Sequence, residues 1–313
     1  MGKLAFVFPG QGSQYVGMGK ELAEAFPEAK AAFEEADRIL GFSLTGLCWE
    51  GPEEDLKKTY NTQPAILTTS IACWRVLDKL GVVPDFVAGH SLGEYSALVA
   101  AGAMELKEAI RLVRFRGESM EQAVPFGEGT MAAVLGMSEE QIKELCTRAQ
   151  EVGIVEPANF NCPGQVVIAG TTPAIKKAIE LAKEMGAKRS IMLPVGGPFH
   201  SSLMEPARRA MAERLASANI VDGRIPVVAN VNGRTVQGQS EIIDALVNQV
   251  TSPVLWEQSI RNLALAGVDT FIEVGPGKVL SGLIKKTVKD VKIINIEDPV
   301  SAEKAIAQLK ECS

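Results

Sequence analysis

Residues Phe86–Leu98 read FVAGHSLGEYSAL, with one serine, Ser91, between Gly89 and Gly93 and next to His90. "DFVAG" is a short apolar run that suits a strand, and Glu94 to Ala101 are good helix formers stopped by Gly102. Ser91 therefore stands at a strand-to-helix turn. Gly-x-Ser-x-Gly at such a turn is the spacing of a nucleophile elbow, where glycines let the chain bend tightly enough to expose the serine oxygen above a helix N-terminus. Serine also caps helices well, so the motif alone leaves nucleophile and cap as open readings.

Outward from this turn, short apolar runs alternate with helical patterns, the grammar of an α/β fold with a parallel sheet. "LAFVF" near the start predicts a strand and is followed by the helical pattern "MGKELAEAFPEAKAAFEEADRIL". A polar segment comes next, then a long helix over "PAILTTSIACWRVLDKLG" that stops near Gly81, and "LKEAIRLVRFRGESMEQA" is helical after the elbow. Toward the end, "PVVAN", "TFIEVG" and "KIINI" predict strands, separated by helices around "SEIIDALVNQV" and "LWEQSIRNLALAG". The middle differs: "GTMAAVLG", a helix from about Ser138, "GIVEPANFN", "GQVVIAGT", a helix after Pro173 and "AKRSIMLPV" give the order βαββαβ. That order predicts a ferredoxin-like insert over residues 126–197, bounded by Pro and Gly clusters, inside a catalytic domain made of 1–125 and 198–313.

Composition narrows the function. A chain of 313 residues, 46% hydrophobic and 22% charged, has the make-up of a soluble globular protein. A net charge of -6 argues against nucleic acid as a main partner, because phosphate binding needs clustered Lys and Arg. The cysteines Cys48, Cys73, Cys146, Cys162 and Cys312 form no CxxC pair, which predicts neither a disulfide framework nor a zinc site and suits the cytoplasm. No stretch approaches the ~20 apolar residues of a membrane span, so no membrane is expected.

The loop "FPGQGSQ" after the first strand can bring the N–H of Gln11 beside Ser91; with the N–H of Leu92 it would form an oxyanion hole. A phosphate-loop reading of the same glycines fails on spacing, since Gly12 and Gly17 are followed by Met18 rather than Lys and Gly10-x-Gly12 lacks a third glycine three residues on. The chain holds two histidines, His90 and His200. His90 adjoins Ser91 on the elbow, where its ring should point away from the hydroxyl, which predicts a structural role. His200, in "VGGPFHSSLMEP", lies in a glycine-rich loop and is free to meet Ser91 as a base. No Asp stands between Ser91 and His200, contrary to the chain order of an α/β-hydrolase triad. The expectation is a Ser-His dyad whose histidine is oriented by an amide or carbonyl, with Gln249 as candidate and a surface glutamine as the plain alternative.

Taken together, "FPGQGSQ", "GHSLGEYSAL", "RFRGESMEQA", "ANFNCPGQVVIAG", "PFHS", "PVLW" and "EVGPGKVLSGL", in that order, resemble the malonyl-CoA:acyl carrier protein transacylases across essentially the whole chain. The resemblance implies a larger α/β-hydrolase-like domain whose cleft is walled by the insert. It also implies a malonyl-accepting Ser91, His200 as base, Gln11 and Leu92 as oxyanion donors, and Gln249 supporting His200. By the same resemblance Arg116 is the clamp for the malonyl carboxylate, and Phe199 a filter against the methyl group of methylmalonyl units. Guanidinium suits a carboxylate because it can donate two parallel charge-assisted hydrogen bonds. The implied substrate is malonyl-CoA and the implied partner an acyl carrier protein. Since carrier proteins are generally acidic, Lys188 with Arg189 and Lys285 with Lys286 are docking candidates, with solvated faces as the plain alternative. No metal or redox cofactor is expected, and a monomer is. The rival readings are a serine thioesterase or esterase on the same elbow, and a binding or scaffold protein without turnover.

Overall fold

In the computed structural model, which describes residues 2–310, the apolar runs become the strands of two sheets. Cys312 lies outside the described residues. In chain order the strands are β1 (Lys3–Phe8), β2 (Phe86–Gly89), β3 (Gly129–Leu135), β4 (Val155–Cys162), β5 (Gln165–Thr171), β6 (Arg189–Met192), β7 (Val227–Val228), β8 (Thr235–Val236), β9 (Val268–Val274) and β10 (Lys292–Ile296). The first sheet has the order β10-β9-β1-β2-β7-β8 and is parallel except where β8 returns antiparallel along β7. The second, β4-β5-β3-β6, is antiparallel.

Strand β1 is central and covered on both faces, as a parallel strand between helical layers must be. Phe6 and Phe8 enter one apolar cluster with the helices Pro27–Leu40, Thr59–Lys79 and Leu106–Gln122, while Ala5 and Val7 enter another with Trp256, Phe271 and Leu280. The second sheet divides its side chains the same way. Ala132, Val134, Val166 and Ile168 face its own helices, Glu139–Ala149 and Thr172–Glu184, whereas Met131, Val167 and Ala169 pack into the main core. Two backbone bonds reinforce the join: Phe160 N–H donates to the Val254 carbonyl and Val254 N–H to the Ala158 carbonyl, each at 2.9 Å.

Three local readings change. The early helical pattern is two helices, Lys20–Ala25 and Pro27–Leu40, because Phe26 takes an extended conformation before Pro27, as residues before proline do. The polar segment after it carries the short helices Leu44–Glu50 and Glu53–Leu56. The long helix begins at Thr59, not at Pro64, which lies inside it. Proline offers no N–H to the carbonyl of Tyr60, four residues back, and Arg114 Nη1 donates to that carbonyl instead at 3.3 Å.

Candidate active site

Strand β2 ends at Gly89 and the helix Gly93–Ala100 begins four residues later, so the chain reverses within the elbow. Ser91 takes a left-handed conformation with φ of 51°, a region non-glycine residues enter only when held there. The holding groups are explicit. His90 N–H donates to the Phe8 carbonyl, and Asn230 clasps the turn from the far side: its Oδ1 accepts from Ser91 N–H at 2.7 Å and its Nδ2 donates to the Gly89 carbonyl at 2.6 Å. No side chain fits at either flanking glycine. A Cβ on Gly89 would lie 1.9 Å from the Gly93 carbonyl, and one on Gly93 would lie 2.1 Å from the Phe8 oxygen.

His200 arrives from the loop before the helix Glu205–Ala216 and places Nε2 2.7 Å from Ser91 Oγ. Its Nδ1 lies 2.9 Å from the backbone carbonyl of Gln249. A carbonyl can only accept, so Nδ1 carries the proton and Nε2 is left as acceptor for the serine hydroxyl. His200 is 3% exposed, and burial, followed by the positive charge of Arg116, pushes its pKa down to about 3. The imidazole is therefore neutral at neutral pH, the state a base requires.

Arg116, on the helix Leu106–Gln122, is only 1% exposed. Its Nη1 donates to Gln63 Oε1 at 2.9 Å; its Nη2 donates to Gln249 Oε1 at 2.9 Å and to Ser91 Oγ at 3.2 Å. Its Nε is buried with no hydrogen-bond partner. Burial draws the guanidinium pKa down from its ordinary value, against the opposing influence of Tyr95 and Glu94 nearby. A buried cation held mainly by neutral amide oxygens, and touching the serine oxygen itself, is suited to receiving a carboxylate there.

Gln249 thus serves two neighbours with different atoms: its backbone carbonyl orients His200, and its side chain faces Arg116. The loop of Gln11 is pressed onto the elbow, since a Cβ on Gly10 would stand 2.4 Å from the His90 oxygen. Leu92, 1% exposed, forms the first step of the turn into the helix. Phe199 is buried beside His200. His90 turns away from Ser91, with Nε2 2.8 Å from Asn161 Oδ1 and its ring tilted against Trp256. A cleft of about 700 Å³ opens onto His200 between Phe160 and Pro157 of β4 on one side and Ser202, Thr251 and Pro253 on the other. Among the described residues, no group of three or more His, Cys, Asp or Glu side chains is placed to hold a metal ion, and no helix is long and apolar enough to cross a membrane.

This geometry can be set beside known proteins. The acyl transferase domain family matches residues 5–311. The malonyl CoA-acyl carrier protein transacylase of Bacillus subtilis is 54% identical over 99% of this chain and 98% of its own length. The chain belongs to this acyltransferase family. The transacylase of Escherichia coli K12 is 45% identical over 98% of this chain and 99% of its own. Among solved structures, an acyl carrier protein S-malonyltransferase from Vibrio cholerae superposes with a TM-score of 0.94 at 47% identity, covering 97% of this chain and 99% of that one. A malonyl-transacylase in complex with its type II PKS acyl-carrier protein superposes with a TM-score of 0.96 at 44% identity, covering 98% and 99%.

Sequence reasoning missed four polar residues of this acyltransferase's site: Gln63, Glu94, Asn161 and Asn230. Each is buried and bonded to a residue that was singled out. Glu94 carried the best available signal, as the one charged residue in the helix pattern "EYSALVAA", three residues after the serine.

Proposed function

We propose that this chain transfers the malonyl group of malonyl-CoA to the phosphopantetheine thiol of acyl carrier protein through a malonyl ester on Ser91. The observation that carries the proposal is the 2.7 Å approach of Ser91 Oγ to His200 Nε2 beside the buried Arg116. In the first half-reaction His200 Nε2 takes the hydroxyl proton as Ser91 Oγ attacks the thioester carbonyl. The oxyanion so formed is met by the N–H groups of Leu92 and Gln11. The C–S bond then breaks, and the proton on Nε2 goes to the coenzyme A thiolate. In the second half the carrier thiol gives its proton to Nε2 and attacks the ester, and Ser91 leaves with that proton. Both halves balance with serine, imidazole and thiols alone, so the reaction calls for no metal or redox cofactor.

Arg116 selects the acyl group. An unpaired buried arginine facing an acetyl group costs roughly 2–5 kcal/mol, whereas refusing one extra methyl beside Phe199 is worth about 1–3 kcal/mol. Malonyl against acetyl is therefore the stronger discrimination.

The element order βαββαβ and strand order β4-β5-β3-β6 support a ferredoxin-like unit over residues 126–197, inserted in an α/β-hydrolase-like domain of 1–125 and 198–313. The four cysteines among the described residues are free thiols, which suits the reducing cytoplasm.

The partner reading draws on the related malonyl-transacylase bound to its carrier protein. Acidic carrier proteins need local positive charge on an otherwise acidic chain. Lys188 packs over Gly136, whose N–H donates to the Gly164 carbonyl in the β4–β5 turn. Lys188 and Arg189, at the start of β6, and Lys285 and Lys286, in the helix Val279–Thr287, are all exposed and are the docking candidates.

The test is intact-mass measurement after mixing with malonyl-CoA. A malonyl adduct that Ser91→Ala abolishes and that acyl carrier protein discharges is expected; an adduct that survives Ser91→Ala overturns the assignment. Release of free malonate in place of transfer would mark a thioesterase.

A further inference from the structure

Glu94 is 2% exposed and follows Ser91 by one helical step, yet the reaction above gives it no task. Its Oε2 accepts from Gln249 Nε2 at 2.9 Å and from Asn230 N–H at 3.0 Å. Gln249 Nε2 also donates to the Ser91 carbonyl at 2.9 Å, and Gln249 Oε1 accepts from Arg116 Nη2 at 2.9 Å. Carboxylate, amide and guanidinium thus form one line from the helix Gly93–Ala100 to the helix Leu106–Gln122. We propose that Glu94 is a positioning residue for acyl selectivity: through the Gln249 amide it fixes the guanidinium of Arg116 where the malonyl carboxylate is gripped. This inference rests on the malonyl-transfer reading.

The two ends of a carboxamide have nearly the same shape, so its neighbours decide which end faces where. Two acceptors, Glu94 Oε2 and the Ser91 carbonyl, call for the NH2 end, and Arg116 calls for the oxygen. Without Glu94 the NH2 end of the amide keeps one anchor, the Ser91 carbonyl, and the amide plane can swing about that bond, drawing Oε1 away from Nη2. Nη1 would still be held by Gln63, so the guanidinium would pivot about that bond. Nη2, which touches Ser91 Oγ, is the nitrogen that would move. Nε has no protein partner to resist the turn. The charge of Glu94 is secondary to its place. Burial raises its pKa to about 7, and Oε2 can accept in either protonation state, with Oε1 carrying the proton when there is one.

The test compares wild type, Glu94→Ala, Glu94→Asp and Glu94→Gln. Acylation of Ser91 by malonyl-CoA and by acetyl-CoA gives a selectivity ratio, and labelling of Ser91 by an uncharged fluorophosphonate reports the Ser91–His200 pair independently. In Glu94→Ala the malonyl-to-acetyl ratio falls about 100-fold, the cost of misplacing a positioning group by about 1 Å, while labelling stays near wild type. Glu94→Asp, withdrawn by one methylene, loses selectivity in the same direction and decides the matter if the alanine variant folds poorly. Glu94→Gln keeps the ratio, because its amide oxygen can accept both hydrogen bonds. An unchanged ratio in Glu94→Asp, a parallel loss of labelling and malonyl transfer, or a Glu94→Gln variant as unselective as alanine overturns the inference. A wild-type chain that takes no malonyl group overturns the underlying reading instead, and this inference with it.

Discussion

At the scale of single residues, the proposed function turns on the charge of Arg116 and the neutrality of His200. Arg116→Ala removes the only cation bonded to Ser91 Oγ among the described residues and should lower kcat/KM for malonyl-CoA by about 30-fold or more, the equivalent of roughly 2 kcal/mol. Acetyl transfer should be spared, and a matching loss with acetyl-CoA would mean that Arg116 serves the serine and not the substrate. His200 gives a pH prediction. Its pKa is lowered to about 3, so the base is in its neutral form across the whole range above that value. In a profile of kcat/KM against pH, the acid limb should fall well below the ordinary histidine value of about 6.5. A limb near 6.5 that persists in Glu94→Gln, where the neighbouring carboxyl no longer titrates, would contradict it. Ser91 and His200 were legible because the serine sits in a turn motif and the choice lay between two histidines. The side-chain task of Gln249 was not. An amide declares its partner only in three dimensions, and its neighbours Glu94 and Arg116 lie 155 and 133 residues away in the chain.

At the scale of elements, the elbow depends on β2 and the helix Gly93–Ala100 meeting more closely than any Cβ allows. Gly93→Ala should destabilise the fold by about 1–3 kcal/mol or more, since the Phe8 carbonyl that it strikes belongs to the central strand and cannot give way. Serine reactivity should fall with stability, because a shift of the helix start carries Leu92 and Ser91 with it. Thermal melting beside fluorophosphonate labelling checks both, and a variant of unchanged melting temperature with full labelling would show the contact to be soft. Strands β1, β2, β9 and β10 were readable from apolar runs, as was the order βαββαβ of the second sheet, because pattern and local propensity agree there. Boundaries set by tertiary contact were less readable. Pro64 argued for a helix start, but the carbonyl it strands at Tyr60 is met by Arg114, a residue 54 positions away that also stacks on the Tyr60 ring. The local rule lost to a distant donor.

At the scale of the whole molecule, the second sheet packs one face on its own helices and the other on the main core, leaving the cleft to His200 along the seam. Both substrates must reach Ser91 through surfaces at that seam, yet they differ in size and charge. On the proposed reading, malonyl-CoA brings its own small anion to Arg116, whereas a folded acidic carrier protein would be steered by the surface around the cleft. Lys285 and Lys286 lie in the last turn of the helix Val279–Thr287, where their charges also suit the helix C-terminus. The double change Lys285→Glu with Lys286→Glu should therefore cost some stability as well as docking. Thermal melting measures that cost, and serine acylation by malonyl-CoA should proceed at the wild-type rate. Transfer to carrier protein should fall about tenfold in kcat/KM at low salt, with the gap to wild type closing as added salt screens exposed charges over distances of ~10 Å. Equal carrier turnover in variant and wild type at low salt would assign these lysines to a solvated face. Docking would then fall to Lys188 and Arg189 at the start of β6, where the same charge reversal can be repeated.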